Sequence, residues 1–175
     1  MNTPKPYRIT TLVFIRNSAG EHLLLRRRNP PNKGLWSPIG GKLDTLTGES
    51  PTECAIREAG EEAGLALHQE DLHLFACISE RDYEGSGHWL MFLFRVLQPM
   101  DTLPPPHPEG EFGFHPTRHL ELLPIPDSDR QVIWPLALHD AHGFTAGRLV
   151  YHPPVPPSGS PSYEWTVETR VLPPF

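Results

Sequence analysis

The chain has 175 residues, of which 38% are hydrophobic and 21% charged, a composition typical of one globular domain rather than a disordered chain. Fifteen Lys and Arg against 21 Asp and Glu give a formal net charge of -6, so no overall basic field would attract a long nucleic acid. No apolar run approaches the roughly 18 residues of a membrane span, and two cysteines are too few for a disulfide framework. These features predict a soluble, cytoplasmic, single-domain protein over residues 1–175.

Runs of β-branched and apolar residues bounded by Gly, Pro and Asn predict strands along most of the chain. The runs are residues 9–16, 23–25, 72–79, 89–96, 111–114, 144–151 and 163–171. Turn residues between neighbouring runs predict three hairpins: 9–25, 72–96 with its turn at 85–87, and a C-terminal hairpin at about 144–171. Proline-rich loops are predicted at 103–108 and 153–161, and a long loop at 26–42.

Three signals coincide at the start of a predicted helix. Ser50 is suited to the N-cap, Pro51 to the first helical position, and Glu53 to closing a capping box with Ser50. Gly64 is placed to take the left-handed conformation that ends helices. The sequence therefore predicts a helix from residue 51 to about residue 63.

A second helix is predicted over residues 127–141, opened by Asp127 or Ser128. Pro135 would kink or split it because proline has no N–H for the helical hydrogen bonds. Strands mixed with about two helices, without regular βαβ alternation, favour an α+β fold with a mixed sheet between helices.

Three carboxylates crowd one face of the first predicted helix. Glu58, Glu61 and Glu62 stand at i, i+3 and i+4, which confines them to an arc of about 100°. Like charges at these spacings repel by about 0.2–0.5 kcal/mol per pair, and Arg57 alone cannot neutralise the set. A divalent cation such as Mg²⁺, which binds a few carboxylates plus water and substrate phosphate, would offset the repulsion. A solvated acidic helix face is the alternative, but the glycine-rich loop before the helix favours the metal.

The segment 41–65 resembles the signature of the Nudix hydrolases. That signature is Gly, five residues, Glu, seven residues, then Arg-Glu-U-x-Glu-Glu-x-Gly-U, where U is a bulky aliphatic residue. From Glu49 onward the spacing matches at every fixed position, with Ala59 in place of the larger aliphatic residue. Before Glu49 the segment departs from the signature: seven residues separate Gly41 from Glu49, and Leu43 occupies a position that is glycine in the family.

The resemblance implies an α/β/α sandwich with a mixed sheet between helices. It also implies hydrolysis, with Mg²⁺ or Mn²⁺, of a phosphoanhydride bond in a nucleoside diphosphate-linked substrate. The implied metal ligands are the carbonyl of Gly41 and the side chains of Glu58, Glu61 and Glu62. Arg57 would orient Glu49 or a neighbouring carboxylate, and Glu58 is the first choice for deprotonating the attacking water.

Some family members draw the catalytic base from a later loop. Glu111 or Glu109, just after the proline-rich loop, could therefore serve as base or bind a second metal; a solvated loop glutamate is the alternative reading. Residues suited to substrate contact were sought among cations, aromatic side chains and the acidic residues near 127. The candidates are Arg26, Arg28 and Lys42 for phosphates, Trp36 and Phe112 among five aromatic residues for stacking, and Asp129 for the base.

The region around Asp127 and Asp129 resembles the part of oxidised-purine triphosphate hydrolases that recognises the base, although Asp127 could simply cap a helix. This likeness favours a nucleoside triphosphate such as 8-oxo-dGTP as substrate, hydrolysed to NMP and pyrophosphate. ADP-ribose hydrolysis, dinucleoside polyphosphate hydrolysis and a non-catalytic nucleotide sensor remain alternatives. The expected partner is a small-molecule nucleotide, with no long nucleic acid and no membrane, and the protein would be a monomer or homodimer.

Overall fold

The computed structural model describes residues 5–30, 32–83, 87–139, 142–154 and 160–172. Within these residues there are eight strands and two α-helices. The strands are β1 (Tyr7–Phe14), β2 (His22–Arg27), β3 (Trp36–Ser37), β4 (Leu72–Arg81), β5 (His88–Val96), β6 (Gly110–His115), β7 (Phe144–His152) and β8 (Ser162–Val171). The helices are α1 (Pro51–Ala63) and α2 (Trp134–His139).

The strands form two sheets. A five-stranded mixed sheet has the order β1-β5-β4-β7-β8, in which β1 and β5 are parallel, as are β4 and β7, while the other neighbours are antiparallel. The smaller sheet is antiparallel, with the order β3-β2-β6. The predicted hairpins at 72–96 and 144–171 are confirmed as β4–β5 and β7–β8, although most of the turn at 85–87 lies outside the described residues.

The predicted first hairpin is wrong. β1 pairs with β5 in the large sheet, and β2 pairs with β3 and β6 in the small one. A single bridge between Arg16 and His22 is the contact that a hairpin would have extended. The reason lies in burial: Leu23, Leu24 and Leu25 are all buried, so β2 is covered on both faces and lies in the interior.

Helix α1 begins and ends as its sequence predicts. The Ser50 hydroxyl accepts a hydrogen bond from the Glu53 N–H at 3.2 Å, and the Glu53 carboxylate accepts one from the Ser50 N–H at 2.8 Å. Gly64 takes the left-handed conformation with φ 69° and closes the helix through its own N–H. These caps fix the height of α1 against the neighbouring strands.

The two helices pack on opposite sides of the strands, which confirms the α+β arrangement of a mixed sheet with helices. Alternate residues of a strand point to opposite faces, and neighbours such as Val13 and Phe14 enter different hydrophobic clusters. One cluster contains Ala55 and Ala59 of α1, and the other contains residues of α2 such as Leu136. No helix in the described ranges is both long and apolar enough for a membrane crossing.

The second helix is continuous through Pro135, so the predicted split is wrong. Residues Asp129–Ile133 form one π-helical turn, in which the Trp134 N–H donates to the carbonyl of Asp129, and α2 follows directly. The wider π turn comes just before Pro135, where a regular α-helix would need the N–H that proline lacks. Residues 140–141 of the predicted helix lie outside the described residues.

Candidate active site

A cleft of about 430 Å³ lies between the end of α1, the large sheet and the turn that precedes α2. Its charged lining comprises Arg27, Lys42, Glu58, Glu62, Glu80, Glu109 and Asp129. Its apolar lining includes Leu12, Trp89 and Met91 from β1 and β5. The cleft therefore combines a strongly acidic region with an apolar wall.

Arg57 joins the loop before α1 to the carboxylates on α1. Its Nε and Nη2 donate to the two carboxylate oxygens of Glu49 at 2.7 and 3.0 Å, a bidentate pair. Its Nη1 donates to Glu58 at 2.7 Å and to Glu61 at 3.1 Å. The hydrogen bonds from Arg57 lower the pKa of Glu49 to about 2. Arg57 thus contacts both Glu49 and a neighbouring carboxylate, in line with the orienting role that the resemblance implies.

The loop between Gly41 and Glu49 absorbs its two extra residues in an exposed turn. The Asp44 carbonyl accepts the Glu49 N–H at 3.1 Å, and the Glu49 carboxylate accepts the Asp44 N–H at 2.8 Å. Leu46 lies at the tip and Gly48 takes φ 73° to close the turn. The added length therefore leaves the pairing of Arg57 with Glu49 intact.

Gly41 has a different role from the predicted one. Its carbonyl accepts the Thr11 N–H at 2.9 Å and the Thr10 hydroxyl at 2.6 Å, so its lone pairs are used within the fold. A Cβ at this position would lie 1.9 Å from Oε1 of Glu58. We therefore correct the assignment of Gly41 as a metal ligand: the residue makes room for the Glu58 carboxylate.

Two of the three helix carboxylates face the cleft. Glu58 and Glu62 line it, whereas the Glu61 side chain is 61% exposed and pairs with Arg57 outside it. Glu62 is only 5% exposed, and its Oε2 has no hydrogen-bond partner. Burial raises the pKa of Glu62 to about 8, with further contributions from the charges of Glu58 and Glu109. The prediction that all three carboxylates face one ligand is therefore met by two of them.

The donor set fits a hard divalent cation. A buried carboxylate oxygen without a partner, next to further carboxylates, is costly unless a cation compensates it. Among the described residues, no three His, Cys, Asp or Glu side chains already converge in a ready metal arrangement. Arg57 holds Glu58 and Glu61 instead, so binding of a cation would redistribute these contacts.

The structure corrects three charged candidates by strand alternation. Arg27 lines the cleft, while Arg26 and Arg28 are not part of its lining. On β2, Leu23, Leu25 and Arg27 share one face, and that face points toward α1. Arg26 lies opposite Glu111 across the small sheet, on the other face. The predicted phosphate contacts by Arg26 and Arg28 are therefore not supported, and Arg27 takes that position.

The same geometry distinguishes the two loop glutamates. Glu109 lines the cleft, and its carboxylate lies 3.9 Å from the Arg27 guanidinium. Glu111 is exposed on β6 and is not in the cleft lining. The preference for Glu111 is therefore corrected to Glu109, the alternative that the sequence had left open.

The predicted stacking residues are also corrected. Trp36 packs edge-on against His115 with ring centroids 4.4 Å apart, and Phe112 packs against the cluster that contains α1. Neither lines the cleft; Tyr83 and Trp89, two of the five aromatic candidates, do. Lys42 and Asp129 also line the cleft, as their predicted substrate contacts require.

Sequence reasoning missed Glu80, which is 4% exposed and lines the cleft. The signal was present: Ile78 is two residues earlier on β4 and fully buried, so alternation predicts that Glu80 points the same way. Arg27 could have been found in the same way from Leu23 and Leu25.

The comparisons with known proteins agree with this site. A family model described as NUDIX domain matches residues 6–133, well over half of the chain. This chain therefore belongs to the Nudix family, as the signature had predicted.

Three relatives define the range of similarity. A mutator MutT protein of Bacillus halodurans is 25% identical, with a TM-score of 0.68 over 90% of this chain and 97% of that one. A bifunctional NMN adenylyltransferase/ADP ribose pyrophosphatase of Francisella tularensis shares the fold, at 19% identity and a TM-score of 0.60 over 78% of this chain and 42% of that one. An octanoyltransferase of Myxococcus xanthus is 36% identical over 80 residues, 43% of this chain but only 22% of its own length. The chain thus spans about a fifth of that curated relative.

Proposed function

We propose that the protein is a Mg²⁺- or Mn²⁺-dependent Nudix hydrolase that cleaves a phosphoanhydride bond in a small nucleotide. The observation that carries the proposal is Glu62, a buried carboxylate with an unpartnered oxygen, beside Glu58 in a cleft bordered by Arg27 and Lys42. This arrangement needs a cation, and a bound cation would in turn attract phosphate. The similarity to MutT proteins supports the same activity.

Glu58 and Glu62 would hold the cation, which when bound supplies charge stabilisation for phosphoryl transfer. Arg57 orients Glu58 through the hydrogen bond of 2.7 Å. Glu58 remains our choice for accepting the proton of the attacking water, and Glu109 is the second carboxylate within the cleft. Arg27 and Lys42 would contact the phosphates of the substrate.

We propose a nucleoside triphosphate as substrate, with 8-oxo-dGTP as the first candidate. Water would attack phosphorus and the anhydride bond would break, which yields NMP and pyrophosphate. The apolar wall of Leu12, Met91 and Trp89 offers a surface for a base, and Asp129 offers a polar contact beside it. The net charge of -6 supports a small nucleotide over a long nucleic acid.

The test is a turnover panel of dGTP, 8-oxo-dGTP, ADP-ribose and diadenosine polyphosphates, each with Mg²⁺ and with Mn²⁺. We expect pyrophosphate and mononucleotide from the triphosphates, and loss of turnover in EDTA. Faster cleavage of ADP-ribose would move the assignment to the activity named for the Francisella tularensis protein. If no compound is cleaved but nucleotides bind, the protein is a sensor and the proposed hydrolysis is wrong.

A further inference from the structure

Two buried carboxylates lie in the cleft apart from the proposed metal ligands. Glu80 is 4% exposed at the end of β4, and Asp129 is 8% exposed in the π-helical turn before α2. The charged groups that act on Glu62 are Glu58, Glu109 and Arg27, whereas Ser128 is the only polar neighbour that acts on Asp129. Glu80 and Asp129 therefore belong to a second, separate part of the cleft.

Asp129 lacks a compensating charge. Over the described ranges, its one hydrogen bond is with the Ser128 hydroxyl at 3.4 Å, and no Lys, Arg or His nitrogen lies within 4.0 Å. Burial raises the pKa of Asp129 to about 7, which shows that its charged form is poorly solvated. A ligand that brings N–H donors would satisfy the carboxylate without the cost of a second buried charge.

The strands beside Glu80 present a surface for a flat ring. Glu80 lies directly opposite Trp89 on the antiparallel strand β5, so the two side chains share one face of the sheet. Two residues further along β5, Met91 lies on that same face, beside Leu12 of β1 in the cleft lining. Aromatic and aliphatic side chains bind the faces of a base, which leaves its edge for the polar groups.

We infer that Glu80 is a specificity-determining residue, which together with Asp129 accepts hydrogen bonds from the edge of a purine base. Two acceptors match a guanine-type edge, in which a ring N–H and an amino group are adjacent donors. Adenine offers one amino group beside an acceptor nitrogen, and that nitrogen would face a carboxylate oxygen without a hydrogen between them. The cleft is therefore selective for guanine-type nucleotides. This inference rests on the proposed nucleotide hydrolysis.

The first experiment compares kcat/KM for dGTP, dITP and dATP in the wild type and in Glu80→Gln, with Mg²⁺ present. Glu168→Gln, an exposed change on β8, is the control. Because a hydrogen bond to a charged group contributes about 1.5–3 kcal/mol, we expect Glu80→Gln to lower kcat/KM for dGTP by about 10- to 100-fold. The values for dATP should change by less than about threefold, and kcat at saturation should change little.

An equal loss with dGTP and dATP would mean that Glu80 is only structural, and no change would mean that it does not contact the base. Either result overturns the inference. Wild-type protein that cleaves dGTP and dATP equally well overturns it while leaving the proposed hydrolysis in place. Wild-type protein that cleaves no nucleotide overturns both.

A second measurement needs no variant and therefore does not depend on its folding. The dissociation constants of dGMP, dIMP and dAMP for the wild-type protein are measured by calorimetry with Mg²⁺. We expect dGMP to bind at least tenfold more tightly than dAMP, with dIMP between them because it lacks the amino group. Equal affinities for dGMP and dAMP would overturn the inference.

Discussion

A methyl group on Gly41 would lie 1.9 Å from the Oε1 atom of Glu58, far inside contact distance. The loop backbone and the helix carboxylate therefore meet at a point where only a hydrogen fits. Since the carbonyl of Gly41 is also bound to Thr10 and Thr11 of β1, the loop cannot move away easily. The position of Glu58 thus depends on a residue thirteen hydrogen-bonded loop and helix positions away from any visible charge partner in the sequence pattern.

Gly41→Ala should lower metal-dependent turnover by at least tenfold, because the new methyl group displaces Glu58 from the cleft. The control is Gly60→Ala in α1, where a Cβ meets its nearest neighbour, the Leu65 carbonyl, at an ordinary 3.5 Å. That variant should keep its turnover and gain up to about 1 kcal/mol of stability from helix propensity. Steady-state kinetics and urea unfolding of both proteins provide the measurement. Equal turnover in both variants would contradict the packing argument.

Glu62→Gln should reduce Mg²⁺-dependent turnover by at least 100-fold, whereas Glu61→Gln should lose less than about tenfold. Glu62 is buried in the cleft, but Glu61 is largely exposed and contacts Arg57. The two changes are chemically identical and lie on adjacent residues, so each is the control of the other. Mn²⁺ binding followed by electron paramagnetic resonance should weaken in the Glu62 variant. A larger loss at Glu61 would show that the metal lies on the outer side of α1.

Glu109→Gln should lower turnover by at least tenfold, and Glu111→Gln should leave it within about twofold. The first carboxylate lines the cleft beside Arg27, while the second is exposed on the far side of the small sheet. Rates at saturating Mg²⁺ give the comparison, with thermal unfolding as a check on folding. Equal rates in the two variants would remove the loop glutamate from the site.

Acid should destabilise the fold through His22. Burial, with the charges of Arg16 and Arg95, lowers the pKa of His22 from 6.5 to about 4. The unfolded chain then takes up the proton first as the pH falls, so the free energy of unfolding decreases between pH 6.5 and 4. The loss attributable to this residue is on the order of 3 kcal/mol, and above the upper limit it contributes none.

His22→Gln keeps a donor for Thr117, which lies 3.1 Å from the imidazole, and removes the titration. The variant should show a flatter pH dependence of urea unfolding across that window than the wild type. The exposed His68→Gln serves as the control and should keep the wild-type slope. If the slopes of the wild type and His22→Gln coincide, the buried imidazole is not the group responsible.

Local signals predicted α1 and its caps well because each involves residues within a few positions of one another. Ser50, Glu53 and Gly64 act through hydrogen bonds inside one helix, so their pattern is visible in the sequence. The partner of β2 is not a local property. Its strand pairs with β6, almost ninety positions away in the chain, because all three central leucines need cover.

The candidate site shows the same division. The acidic residues of α1 and Arg57 were predicted from their spacing and the family signature, although Glu61 faces outward. The candidates from strands failed by one residue: Arg26 and Arg28 instead of Arg27, and Glu111 instead of Glu109. A strand changes face at every residue, so an error of one position exchanges the cleft for the opposite surface.

The turn between Asp44 and Glu49 gives the protein a region where length is free to change. Its two ends are joined by hydrogen bonds, and Arg57 grips the second end from the helix. Leu46, at the tip, is almost fully exposed. Insertions at this tip should be tolerated, so it is a suitable place to graft a fluorescent label or an affinity peptide without disturbing catalysis.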